Sequence, residues 1–201
     1  MTVLLDSTLR EGELFRILKQ SAKIDLVEKL ADAGLKRIEL TLDYPPRTTR
    51  SDVEPLVSLC NQLGVESVIH GRALKDDVLS ASKYEATGVA FYIAPTDVHR
   101  RYKLHGISYE EAIERLCEAA TMARQFGFKY VRATIEDASR FFVENRMAQL
   151  VDAVKKLHQA GATLVSIPDT AGMLSPRKAA EFIRTVKNQT GVPLAAHFHN
   201  D

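Results

Sequence analysis

The chain has 201 residues, 45% of them hydrophobic, enough to bury one sizeable core but hardly two. Lys and Arg total 27 against 26 Asp and Glu, and the resulting formal net charge of +1 excludes the basic field of a nucleic-acid binder or of a protein drawn to anionic membranes. The N-terminal apolar run, Val3 to Leu5, is too short for a signal peptide, and no stretch approaches the ~20 apolar residues of a membrane span. A soluble, cytoplasmic protein with a small-molecule partner is expected. Cys60 and Cys117 lie in helical patterns without CxxC spacing and read as small core residues, in keeping with a reducing compartment.

In chain order, Val3 to Leu5 form a first short strand that runs straight into the charged stretch DSTLREGE. After it, ADAGLKRIELT, NQLGVESVIHG, YEATGVAFYIA, RQFGFKYVRAT, HQAGATLVSIP and NQTGVPLAAHF repeat one plan: the end of an amphipathic run, a glycine, then an apolar run. Gly34, Gly64, Gly88, Gly127, Gly161 and Gly191 are read as helix C-terminal residues in the left-handed conformation. Before Gly34, Ile24, Val27, Leu30 and Ala31 fall at helical spacing, as do Ile113, Leu116, Ala120 and Ala123 before Gly127. Seven strands follow, near 3–6, 37–41, 65–70, 89–93, 129–134, 163–167 and 193–198.

Strands alternating with helices imply a parallel sheet of the α/β class. The turn after the first strand has no GxGxxG, so a (β/α)8 TIM barrel is favoured over an open doubly wound sheet. About seven of the eight βα units are then present, and residues 1–201 are read as a catalytic barrel domain truncated before the eighth strand. Such a piece leaves two unpaired strand edges, and alone it is expected to be aggregation-prone and nearly inactive.

Barrel sites are built at the C-terminal strand ends, which explains the charge in DSTLREGE. The same end collects Asp6, Arg10, Glu11, Glu39, Thr41, His70, Arg72, Glu136, Asp137, Asp169, Thr170, His197 and His199. In HFHND, residues i and i+2 of a strand share a face, so His197 and His199 present two imidazoles together. Joined by a carboxylate from after the first strand, they would suit Zn²⁺, Mn²⁺, Co²⁺ or Fe²⁺, with Mg²⁺ an alternative. Without that convergence, an HxH strand is an ordinary pair of polar side chains.

DSTLREGE at 6–13, IPDTAGMLSP at 167–176 and HFHND at 197–201 resemble the metal-dependent barrel family of homocitrate synthase, 2-isopropylmalate synthase and hydroxymethylglutaryl-CoA lyase. TDVHRRYKLHGISYEEAIE at 96–114 and VRATIEDASR at 131–140 are similar to synthase motifs of that family. The resemblance implies an acyltransferase of amino-acid biosynthesis that joins acetyl-CoA to a 2-oxo acid by a Claisen condensation. It implies Glu11, His197 and His199 as metal ligands, with Asp6 the runner-up carboxylate, better suited to a supporting role. Arg10 would stabilise charge on the reacting oxygen, and Glu136 would be the base near the acetyl group. Thr170, with His99, Arg100 and Arg72, would hold substrate. A homodimer is the expected full-length state. The alternatives are a hydroxyacyl-CoA lyase and a barrel that binds metal and 2-oxo acid without catalysis. Leu14 stands where the family has glutamine, and the loop TLDYPPRTTRS differs from that of homocitrate synthases; both bear on which 2-oxo acid fits.

Overall fold

The computed structural model describes residues 2–45 and 48–199, so Pro46 and Arg47 of the loop TLDYPPRTTRS and the stop at Asp201 lie outside the described residues. The first half runs α1 (Thr8–Phe15), α2 (Gln20–Asp32), β1 (Arg37–Thr41), α3 (Arg50–Leu63), β2 (Glu66–Arg72), α4 (Lys75–Ala81) and β3 (Gly88–Ile93). The second half runs α5 (Asp97–Tyr102), α6 (Tyr109–Gln125), β4 (Tyr130–Ile135), α7 (Ser139–Val143), α8 (Met147–Gln159), β5 (Leu164–Ser166), α9 (Pro176–Thr190) and β6 (Leu194–Ala195). The strands pair in parallel, and their order in the sheet is their order in the chain. That sequential order belongs to a barrel; a doubly wound sheet reverses direction partway.

Local chemistry accounts for the element starts. In ISYEEA the Ser108 hydroxyl accepts from the Glu111 amide at 2.9 Å and opens α6, which then buries Ala112, Ile113, Leu116, Ala120 and Ala123 along one stripe. Ser175 followed by Pro176 opens α9 in the same way. Five of the six repeat glycines take left-handed backbone, but Gly88 does not. It begins β3 opposite Tyr130, and a Cβ there would lie 2.6 Å from the Cβ and carbonyl of Tyr130. Its missing side chain leaves the barrel interior room for the tyrosine.

The predicted terminal strands are shorter than expected. Segment 3–6 is reduced to one bridge, in which the Asp6 amide donates to the Arg37 carbonyl (3.1 Å) and the Glu39 amide donates to the Asp6 carbonyl (2.8 Å). Val3 and Leu4 are 52% and 73% exposed, so burial does little to extend the ladder. Segment 193–198 divides into β6 and an isolated bridge between Phe198 and Asp169.

The main core lies between the sheet and its helices, with Ile38, Leu40, Ile69, Phe91, Val131, Ala133, Val165 and Phe182 fully buried. A small second cluster, Val68, Ala90 and Tyr130 with Leu5 and Leu164, fills the bottom of the barrel. Above it the inward positions turn polar at period 2: Glu39 and Thr41, then His70, Tyr92, Arg132 and Thr134, and Ser166 line a cavity of about 1240 Å³.

The helix that follows the first strand is secured by a buried ion pair. Lys23 Nζ of α2 lies 2.7 Å from Glu13 Oε1 of α1, with both side chains almost entirely inaccessible, and the same oxygen accepts from the Leu18 amide at 3.1 Å. Lys23→Met removes the buried cation paired with Glu13 and is expected to cost about 3–5 kcal/mol in urea unfolding, whereas Lys23→Met combined with Glu13→Leu should recover most of that loss.

Candidate active site

Asp6 turns the chain from strand to helix. Its carboxylate accepts from the Thr8 amide (3.0 Å) and the Thr8 hydroxyl (3.1 Å), which starts α1 at once and sets Arg10 and Glu11 in its first turn. Arg10 Nη1 lies 2.5 Å from Glu11 Oε1, and Arg10 Nε donates to Glu39 Oε2 at 2.7 Å. Glu11 in turn lies 3.3 Å from His197 Nε2, and His197 Nε2 is 3.2 Å from His199 Nε2. One donor atom from each of Glu11, His197 and His199 falls within 4.8 Å of the others.

The imidazole pair is fixed by backbone. The Asp169 amide donates to the His197 carbonyl (3.1 Å) and the His199 amide donates to the Asp169 carbonyl (3.2 Å), bracketing Phe198. The buried Asp169 carboxylate accepts from Ser139 Oγ at 2.6 Å and from the Met173 and Leu174 amides at 3.0 and 2.8 Å. The PDTAG turn is thereby locked while its backbone holds the histidines. Metal bonds of ~2.0–2.2 Å at tetrahedral or octahedral angles separate donor atoms by roughly 3–3.5 Å. His197 Nε2 meets that spacing with both Glu11 Oε1 (3.3 Å) and His199 Nε2 (3.2 Å), and two imidazoles with a carboxylate match the donor preferences of first-row divalent cations.

On the opposite wall, Asp137, two residues beyond β4, adopts φ 61°, a left-handed turn that aspartate tolerates. Glu136 consequently faces the cavity, while Asp137 turns away to accept from Arg140 Nε at 2.6 Å and to lie 3.5 Å from His99 Nδ1. Thr170 lines the cavity and accepts from the Asp137 amide at 2.9 Å. Lys103, unnoticed in the sequence, reaches Glu136 with Nζ 3.0 Å from Oε2.

Arg72, His99 and Arg100 lie outside the cavity lining. Arg72 makes a two-point contact with Asp77 at 3.0 and 2.9 Å and covers the Tyr44 ring. His99 bonds Thr96 Oγ1 at 2.8 Å, and Arg100 donates to the Ile107 carbonyl at 2.9 Å and to Asp97 at 2.8 Å, so both brace the loop that carries Lys103. Leu14 is 68% exposed on the cavity lining. Period 2 along RIELT and YVRATI, counted inward from Glu39, was the one sequence signal for Arg132 and Thr134.

Between the walls, fully buried Glu39 is also paired to Arg132 Nη2. Burial pushes the Glu39 carboxyl up, but the guanidiniums of Arg132 and Arg10 outweigh it and bring it down to about 2. Burial also takes His70 to about 3, so at neutral pH it is an uncharged ring, stacked 4.9 Å from Tyr92. Glu11 is likewise lowered to about 2, chiefly by the hydrogen bond from His197. Because the Glu39 value falls on folding, its stabilisation is complete above the ordinary 4.5 and is lost as pH falls from there toward about 2. Urea unfolding across that window should show a steep loss of stability that Glu39→Gln flattens.

The HMGL-like family profile matches residues 2–201. A homocitrate synthase of Sulfurisphaera tokodaii is 32% identical over 206 residues, covering 98% of this chain and 43% of that protein. A 2-isopropylmalate synthase of Methanocaldococcus jannaschii is 32% identical over 202 residues, covering 98% of this chain and 37% of that protein. The chain thus spans less than half the length of these two relatives. Among solved structures, a hydroxymethylglutaryl-CoA lyase from Pseudomonas aeruginosa superposes with a TM-score of 0.75 at 23% identity, over 98% of this chain and 68% of that one. An HMG-CoA lyase from Bacillus subtilis gives a TM-score of 0.79 at 16% identity, over 99% and 69% of the two chains. These likenesses bear on the fold, which is that of a TIM barrel. With its parallel strands in barrel order and a profile match running from residue 2 to residue 201, the chain belongs to the HMGL-like family.

Proposed function

We propose that this chain carries the catalytic barrel of an acyltransferase that condenses acetyl-CoA with a 2-oxo acid. The observation behind the reading is the meeting of Glu11, His197 and His199 beside Arg10 at the edge of a cavity whose far wall carries Glu136. A divalent cation held by those three residues would supply Lewis-acid polarisation of the keto group. Arg10, anchored on Glu39 and Glu11, presents a fixed positive charge to the oxygen that gains electron density as the new bond forms. Glu136 removes a proton from the methyl group of the acetyl thioester, leaving a carbon nucleophile for the keto carbon.

The acid's carboxylate is assigned to the interior rather than to Arg72, His99 and Arg100. Arg132 and Thr134 line the cavity, and Arg132 Nε and Thr134 Oγ1 are buried without a hydrogen-bond partner among the described residues, so a small shift of either side chain would give a bound carboxylate a donor. Thr170, one strand on, offers a further hydroxyl at the same end. Leu14 removes a polar contact that glutamine would make and favours an acid with an apolar portion near α1.

Incubation with acetyl-CoA, divalent metals and a panel of 2-oxo acids, followed by assay of free thiol, is the direct test; no thiol release with any acid would overturn the reading. His197→Ala should lose most of its bound metal by elemental analysis, since one of three protein ligands is gone. Arg10→Ala is expected to retain metal while turnover falls about 10²-fold or more.

A further inference from the structure

Four cationic side chains line the cavity among the described residues: Arg10, Arg37, Lys103 and Arg132. Three are held by carboxylates on or beside β1 and β2. Arg10 and Arg132 share Glu39, and Arg37 is bound to Glu66. Lys103 alone is turned toward the opposite wall, its Nζ 3.0 and 3.3 Å from the two oxygens of Glu136 and 5.5 Å from the centre of the Tyr92 ring.

The segment bearing it is built to hold that position. The Lys103 amide donates to the His99 carbonyl at 2.8 Å and closes α5, and the Gly106 amide donates to the Arg100 carbonyl at 2.8 Å. Arg100 ties the turn to Ile107, and His99 ties it to Thr96 beneath. A four-carbon stem on this braced turn brings one mobile ammonium to one carboxylate. Its side chain stays half exposed, free to exchange its partner when a ligand enters.

Resting on the reading of Glu136 as the base, we infer that Lys103 is a third catalytic residue beside Arg10 and Glu136, donating a hydrogen bond to the thioester carbonyl oxygen of acetyl-CoA during proton removal. In an acetyl group the methyl carbon and the carbonyl oxygen are about 2.4 Å apart, by ordinary bond lengths. A base at one and a donor at the other are therefore neighbours, as Glu136 and Lys103 are. The step balances within the site. A methyl C–H bond breaks, its proton passes to Glu136, and the electron pair forms the carbon–carbon double bond as the carbonyl π electrons move to oxygen. Lys103 keeps its proton and stabilises that oxygen by charge and hydrogen bond. When the carbon attacks the 2-oxo acid the carbonyl re-forms, and the ammonium returns to the carboxylate.

The test compares Lys103→Met and Lys103→Arg with the unsubstituted protein in three measurements. These are affinity for S-carboxymethyl-CoA, whose carboxylate takes the place of the acetyl methyl group and carries its negative charge to the end of the acyl site between Glu136 and the Lys103 ammonium; affinity for the neutral thioether S-ethyl-CoA; and exchange of acetyl-CoA methyl protons with D₂O. Lys103→Met should weaken S-carboxymethyl-CoA about tenfold or more and slow exchange about 10²-fold. S-ethyl-CoA affinity and the thermal unfolding midpoint should stay unchanged, and Lys103→Arg should regain part of both losses. Undiminished binding of S-carboxymethyl-CoA overturns the inference. Equal weakening of both thioethers, or a lowered unfolding midpoint, makes Lys103 a structural brace and overturns it too. If the unsubstituted protein releases no thiol with any 2-oxo acid, the condensation reading alone falls, because the thioether comparison needs no 2-oxo acid.

Discussion

The site hangs on one buried carboxylate. Glu39, wholly inaccessible on β1, takes Arg10 from α1 on one oxygen and Arg132 from β4 on the other. With Glu11 beyond Arg10, the charges run minus, plus, minus, plus across the barrel from the histidine pair to the cavity floor. Each guanidinium offsets the desolvation of a carboxylate, and the chain of four is neutral overall, which is what permits a fully buried glutamate to remain ionised. The same chain carries positional information. β2 and β3 separate β1 from β4, so the Glu39–Arg132 contact spans two intervening strands, and Ala90, level with Arg132 on β3, puts only a methyl group beside it.

Much of this architecture could be read from the amino acids. The helix–glycine–strand repeat located β1 to β5 to within two residues, while the expected terminal strands 3–6 and 193–198 shrank to a single bridge and to β6 with a bridge; the helix C-terminal role held at Gly34, Gly64, Gly127, Gly161 and Gly191, where the backbone is left-handed. Gly88 escaped because its reason is long-range: the space it yields belongs to Tyr130, 42 positions on. The same distinction separates the site residues. Glu11, His197 and His199 sit in short motifs whose local spacing already pairs them or places them at a strand end, and the structure gathers their side chains at one point. Arg72, His99 and Arg100 occupy positions as suggestive in sequence, yet each finds a partner a few residues away: Asp77, Thr96 and Asp97. Local hydrogen bonds to loop neighbours are invisible to a reading that counts strand ends. Lys103 lay in the same basic run, HRRYK, and nothing in its spacing marked it as the member that turns inward.

The metal-ligand candidates also have a mechanical consequence. Glu11 follows the segment at one end of the sheet, and the two histidines follow β6 at the other. Among the described residues, β6 pairs only with β5, and segment 3–6 only with β1, so no backbone ladder joins the two ends. What joins them is the side-chain contact between Glu11 and His197. Each side is rigid for its own reason: Arg10, Glu39 and the buried Glu13–Lys23 pair fix α1, while the Asp169 bracket and its clamp by Ser139 fix the histidines. Two preorganised halves that meet through ligand atoms make any ion bound there a cross-link between the first and last parts of the sheet. Its affinity then depends on how firmly each half is held as well as on the donors. Substitutions far from the ligands, in the α1 anchor or the PDTAG turn, act on the site through that geometry.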